Sequence, residues 1–63
     1  MKKAGYHFIV FDKETNNIIF EMDAAGGSKS DCERLLDLEL MNRHLYLKKL
    51  DGLIKIKAIN KSL

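Results

Sequence analysis

The stretch most suggestive of chemistry is residues 26–30, Gly-Gly-Ser-Lys-Ser, which precedes an apolar, helix-like segment. Glycines and a lysine before a helix are typical of phosphate-binding loops, because backbone N–H groups converge on an anion at the helix N-terminus. The spacing does not match, since no glycine stands five residues before Gly27. Asp31 and Glu33 would also repel a phosphate from the first turn. We therefore interpret the stretch as an ordinary capped loop.

Cys32, His7 and His44 are the other side chains that could act as nucleophiles, bases or metal ligands. Cys32 falls in the first helical turn, where a thiol can be activated, but also on an apolar face, where a cysteine is a small buried hydrophobe. Neither histidine has a partner at metal-ligand or nucleophile–base spacing. We expect a buried Cys32, no catalytic residue, no metal and no cofactor, and hence a protein that is not an enzyme.

A long helix is predicted over residues 30–50. Ser30 and Glu33 have the spacing of a capping box, in which each side chain bonds the other's backbone N–H. Lys48 and Lys49 place positive charge near the C-terminal end of the helix dipole. Gly52 provides a stop signal, and neither glycine nor proline interrupts the segment before it.

This helix has two apolar faces. Steps of three and four residues define a broad face that should pack on a sheet, formed by Cys32, Leu35, Leu36, Leu40, Leu47 and Leu50. A narrower stripe of Leu38, Met41 and Leu45 lies on nearly the opposite side. Glu39 and Arg43 are spaced for an ion pair and fall within the broad face, which favours a pair at the edge of the core.

The remaining elements are β-strands. Aromatic and branched residues predict a hairpin over residues 6–23, turning at residues 12–17. A loop over residues 24–29 and a strand over residues 53–59 complete the chain. We predict one α+β domain over residues 1–63: a two-layer β-β-α-β arrangement with a three-stranded, mainly antiparallel sheet in the order 2-1-3. The helix covers one sheet face, and the hairpin's pattern leaves open whether it covers the face of Phe8 or that of Ile9.

The charge distribution raises one functional alternative. The net charge of +2 is unevenly distributed along the chain: residues 1–31 carry −1, whereas residues 43–63 carry +5. A small nucleic-acid-binding regulator could use these cations, with Tyr6 or Phe8 as a stacking surface. Its binding residues would be Lys48, Lys49, Lys55, Lys57 and Lys61.

Surplus apolar surface on both helix and hairpin favours a different function. Uncovered apolar patches mark protein contacts, and a 63-residue chain gains stability from oligomerisation. We expect a small non-enzymatic protein-binding modulator or inhibitor that acts as a homodimer. Its partner-binding residues would be Leu38, Met41, Leu45, Tyr6 and Phe8.

Composition predicts where such a protein acts. A single cysteine is typical of the reducing cytoplasm, and the apolar run over residues 6–11 is too short for a signal peptide. No stretch reaches transmembrane length, so no membrane partner is expected. The proline-free, lysine- and isoleucine-rich composition is compatible with a phage- or mobile-element-encoded protein.

Overall fold

The computed structural model describes residues 4–61; residues 1–3 and 62–63 of the predicted domain lie outside the described residues. A three-stranded antiparallel sheet in the order β2-β1-β3 carries the helices on one face. This arrangement confirms the predicted α+β fold and strand order. The elements in chain order are β1 (Ala4–Asp12), β2 (Ile18–Gly26), α1 (Lys29–Asn42), α2 (Tyr46–Leu50) and β3 (Ile54–Asn60).

The hairpin turn between β1 and β2 is organised by Asp12. Its backbone N–H donates to the Asn17 carbonyl at 2.8 Å, and its carboxylate accepts from the Glu14 N–H at 2.9 Å. Asn16 has a φ of 61°, a conformation that asparagine tolerates better than most residues. The hairpin therefore forms where its turn residues predicted it.

The hairpin strands extend further than expected. β2 pairs with β1 as far as Gly26, opposite Ala4, so the predicted loop over residues 24–29 is wrong for its first half. Ala24 is a buried core residue, 6% exposed. Small side chains there let the strand continue beneath the start of α1, a role that a strand-propensity pattern does not reveal.

The core lies between α1 and the helix-facing side of the sheet. Phe8 and Val10 are 1% and 0% exposed, so the helices cover the face of Phe8 and leave that of Ile9 open. Each fully buried side chain of this size stabilises the fold by about 1.5–3 kcal/mol. The buried set is Phe8, Val10, Phe20, Ala24, Cys32, Leu36, Leu40 and Ile54.

The N-cap of α1 lies two residues earlier than the capping-box pattern indicated, and the helix begins at Lys29. Ser28, not Ser30, is the N-cap, and its hydroxyl accepts from the Asp31 N–H at 3.3 Å. The Asp31 carboxylate accepts from the Gly27 N–H at 3.2 Å. Two pairs with the spacing of a cap overlap in this sequence, Ser28 with Asp31 and Ser30 with Glu33. The structure uses the earlier one, and α1 therefore starts directly after β2 ends.

The predicted continuous helix over residues 30–50 is wrong, because it breaks after Asn42. His44 adopts a left-handed φ of 59°. Its N–H donates to the Met41 carbonyl at 3.1 Å, and the Leu45 N–H donates to the Leu40 carbonyl at 2.7 Å. These two bonds form a Schellman motif with histidine at the position that glycine usually occupies. Neither glycine nor proline occurs at this helix end, so the sequence gives no signal for it.

The break changes which leucines are buried. Leu45 turns inward and packs against the core, which offsets a left-handed cost of about 1–2 kcal/mol at the preceding residue. Leu35, Leu47 and Leu50, predicted to lie on the sheet, are 41%, 72% and 64% exposed. α2 then ends at Leu50, with Asp51 as its C-cap, before Gly52 with its φ of 72°, as the stop signal predicted.

Candidate interaction surfaces

The first candidate surface lies at the bend between the two helices. Met41, His44, Tyr46 and Leu47 line an open groove of about 310 Å³, here called the helix groove. Met41 is 49% and Leu47 72% exposed, although both are large apolar side chains. Leu38, 53% exposed, lies one turn before Met41 on the same face of α1. The bend after Asn42 thus brings Leu47 beside Met41.

The predicted partner-binding residues are only partly brought together. Met41 lines the helix groove and Leu38 is exposed one turn before it, whereas Leu45 packs against the core. Phe8 is in the core itself, and Tyr6 is half-buried beside it with 6.0 Å between the ring centroids. Phe8 and Leu45 therefore leave the candidate surface. A pattern that assumed unbroken helical geometry could not have placed Tyr46 and Leu47 at the groove.

One ion pair joins the two helices, and a second lies at the end of α1. Lys49 on α2 donates to Asp37 on α1 at 2.6 Å. Arg43 donates to Glu39 at 2.7 Å, and its guanidinium lies 4.2 Å from the centroid of the Phe20 ring. The Glu39–Arg43 pair therefore covers the edge of the core, as the sequence favoured.

The second candidate surface is the side of the sheet that no helix covers. Ile9 and Phe11 on central β1 are half-buried. Strand pairing puts Glu21 beside Ile9 on one side and Lys57 beside it on the other. We call this surface the open sheet face; it comprises His7, Ile9, Phe11, Ile18, Glu21, Asp23, Lys55, Lys57 and Ile59.

His7 joins two carboxylates on the open sheet face. Its Nδ1 lies 2.6 Å from Asp23 Oδ1, and its Nε2 lies 2.8 Å from Glu21 Oε1. These bonds, Glu21 first, raise the pKa of His7, and the bond to His7 lowers the pKa of Asp23. Both ring nitrogens are thus engaged by carboxylates, which leaves neither free as a base or metal ligand.

The basic residues of the nucleic-acid alternative do not form one surface. Lys49 is paired with Asp37, and Lys61 Nζ lies 3.8 Å from Asp23. Lys48 belongs to α2, on the helix side, whereas Lys55 and Lys57 belong to the open sheet face. Nucleic-acid binding through these five lysines stays a prediction.

The residues 26–30 stretch serves the fold locally. A Cβ on Gly26 would lie 2.7 Å from the Asp31 Cβ, so glycine is needed for close approach of β2 to α1. Lys29 Nζ lies 5.8 Å from the centroid of the Tyr6 ring. The Gly27 N–H donates to the Asp31 carboxylate, and the Asp31 N–H donates to the Ser28 hydroxyl. The capped-loop interpretation accounts for each of these contacts.

Cys32 is fully buried, as the sequence indicated. Its Sγ lies 3.7 Å from the carbonyl oxygens of Ala4 and Ala24, a position that fits a small core residue. Among residues 4–61, no group of three or more His, Cys, Asp or Glu side chains converges as metal ligands.

Comparison with known proteins gives no relative: no protein-family model, curated protein or solved structure matches the chain. In the part of the chain that the structure describes, no helix has the length and apolarity needed to cross a membrane.

Proposed function

We propose that the protein is a small non-enzymatic modulator or inhibitor that acts in the cytoplasm as a homodimer, by occupying the surface of another protein. The observation that supports it is the pair of uncovered apolar surfaces on opposite sides of a two-layer chain. The helix groove lies on the helix side of the sheet, and the open sheet face lies on the other side. A phage- or mobile-element-encoded regulator would fit this size and architecture.

The helix groove is the surface suited to a different protein. It offers concave apolar contact between Met41 and Leu47, with the polar rim of His44 and the Tyr46 hydroxyl available for hydrogen bonds. Interfaces are enriched in methionine and tyrosine, and their central contacts fill small pockets. A partner would insert one apolar side chain between Met41 and Leu47.

The groove's shape depends on the helix break and on the ion pair behind it. His44 sets the angle between α1 and α2, and the Lys49–Asp37 bond fixes α2 against α1. A surface held in this way is pre-organised, which lowers the entropic cost of binding. The break therefore has a functional consequence as well as a packing one.

The proposal is tested by affinity capture from a lysate of the organism that carries the gene, with Met41→Glu as the groove variant. The matched control is Leu53→Glu, because Leu53 is 48% exposed against 49% for Met41 and does not line the groove. A protein retained by the wild type and by Leu53→Glu, but lost with Met41→Glu at an unchanged melting temperature, supports the proposal. Equal retention by all three, or no retained protein, contradicts it.

A further inference from the structure

Charges on the open sheet face are sorted by strand. The β2 side carries Glu21 and Asp23, and the β3 side carries Lys55 and Lys57. Between them runs the central β1 row, which includes Ile9. Within residues 4–61 the two lysines make no ion pair, whereas both acids contact His7. One edge of this face therefore offers cations that lack partners in the described chain.

Strand register places these charges at defined levels. Ile9 pairs with Glu21 on one side and with Lys57 on the other, so the three residues form one rung across the sheet. Phe11, the next residue of β1 on this face, forms a second rung with Ile18 on one side and Lys55 on the other.

Two copies can stack their open faces by a two-fold axis in one of two directions. An axis across the strands puts β2 over the partner's β2, and so places acid on acid and lysine on lysine. An axis close to parallel with β1 instead puts β2 over the partner's β3 and keeps each rung at its own level. Only the second direction brings opposite charges together, and it is compatible with the aligned packing that stacked sheets prefer.

We propose that the open sheet face binds a second copy of this chain about a two-fold axis parallel to β1, with Glu21 opposite the partner subunit's Lys57. This inference rests on the proposed function, whose homodimer it assigns to one surface. Because the axis is two-fold, the Glu21–Lys57 contact forms twice in the dimer. His7, Ile9 and Phe11, the outward-facing residues of β1, lie nearest the axis. Ile9 and Phe11 supply the apolar centre of the interface, and His7 lies opposite the partner's His7 at one end of it.

The geometry of Glu21 leaves it able to make this contact. Its Oε1 is bonded to His7 Nε2, and its side chain remains 47% exposed. A carboxylate has acceptor capacity on both oxygens, so the partner subunit's lysine can be bound without displacing His7. The histidine bond holds the carboxylate in place before association.

The size of the face indicates a weak dimer. Three strands of seven to nine residues span about 30 Å by 15 Å, given about 3.4 Å per residue and 4.8 Å between strands. Such an area is below the roughly 800 Å² per partner of standard interfaces. Self-association is therefore expected in the micromolar range, and it leaves a helix groove exposed on each outer side.

Charge exchange tests the register. Sedimentation equilibrium between 5 and about 500 µM should show a wild-type dimer. Glu21→Lys and Lys57→Glu should each raise the dissociation constant about tenfold or more, because each brings like charges together twice. An equimolar mixture of the two variants should restore association, since the introduced lysine meets the introduced glutamate at one contact and native Lys57 meets native Glu21 at the other. The double variant should associate more tightly than either single variant. Lys48→Glu, the same charge change on α2, should leave the constant unchanged.

The failures of the inference and of the proposed function are distinguishable. A dimer that is insensitive to the Glu21 and Lys57 changes but lost with Met41→Glu would place self-association at the helix groove. That result would overturn the inference and leave the homodimer standing. A wild-type monomer throughout this range would remove the homodimer altogether, while groove-dependent capture of a partner would still test the modulator. Single variants that weaken the dimer without restoration in the mixture would overturn the register.

Discussion

The helix cap offers a stringent stability test, because the sequence contains two candidate serines two residues apart. Ser28→Ala removes the hydroxyl that accepts from the Asp31 N–H at 3.3 Å. Since this bond is long and Ser28 is exposed, we place its loss in the lower half of the usual range, at about 0.5–1 kcal/mol. The unfolding entropy of a 63-residue chain is about 0.13 kcal/mol/K. The melting temperature should therefore fall by about 4–8 °C.

Ser30→Ala is the matched control for Ser28→Ala. Ser30 is exposed within the first turn of α1 and makes no side-chain hydrogen bond within residues 4–61. Alanine is also a better helix former than serine, so the melting temperature of Ser30→Ala should match or slightly exceed that of the wild type. Thermal unfolding followed by circular dichroism at 222 nm measures both variants. A larger loss for Ser30→Ala than for Ser28→Ala would refute the assigned cap.

Three further perturbations test other parts of the fold. Leu40→Ala removes a fully buried side chain and should cost about 2.7–5 kcal/mol, so urea denaturation should show loss of most of the stability; a cost below 1 kcal/mol would contradict the core assignment. His44→Gly should stabilise by about 0.5–1 kcal/mol in the same assay, because glycine relieves the φ of 59° at some entropic cost; destabilisation would refute the left-handed position. His7→Gln should lower the free energy of unfolding most between pH 3.8 and 6.5. Because the pKa of His7 is raised in the folded protein, the stability that His7 contributes is lost as the pH rises. Because the pKa of Asp23 is lowered, the stability that Asp23 contributes is lost as the pH falls. Unfolding measured at pH 5, 7 and 9 should show the difference from wild type shrinking as the pH rises, and a constant difference would argue against the charged cluster with Glu21 and Asp23.

The sheet could be predicted from the sequence because its signals are local and mutually consistent. Alternation over residues 53–59 and the Asp12 turn predicted strands that the structure places at Ile54–Asn60 and on either side of residues 13–17. The helix was harder, because its end depends on a tertiary contact. Leu45, which is partly buried, packs against the core because the chain leaves the helix after Asn42, and no glycine or proline marks that point.

The sequence could predict that interaction surfaces exist, but not all of the residues that form them. Surplus apolar surface on helix and hairpin indicated interaction surfaces, and Leu38 and Met41 are exposed. The helix groove needed the bend, which sequence spacing did not reveal. The charge sorting of the open sheet face needed two patterns read together: Glu21 alternating with core residues on β2, and Lys57 on β3, once the order 2-1-3 brings them to the flanks of β1.

The central claim is that the open sheet face serves self-association and the helix groove serves a partner. A dilution series followed by ¹H–¹⁵N correlation spectra tests it most directly, since each backbone amide reports its own surroundings. Amides of Ile9 and Lys57 should shift with protein concentration, while those of Met41 and Leu47 stay constant. Concentration-dependent shifts confined to Met41 and Leu47, or none at either surface, would contradict the account.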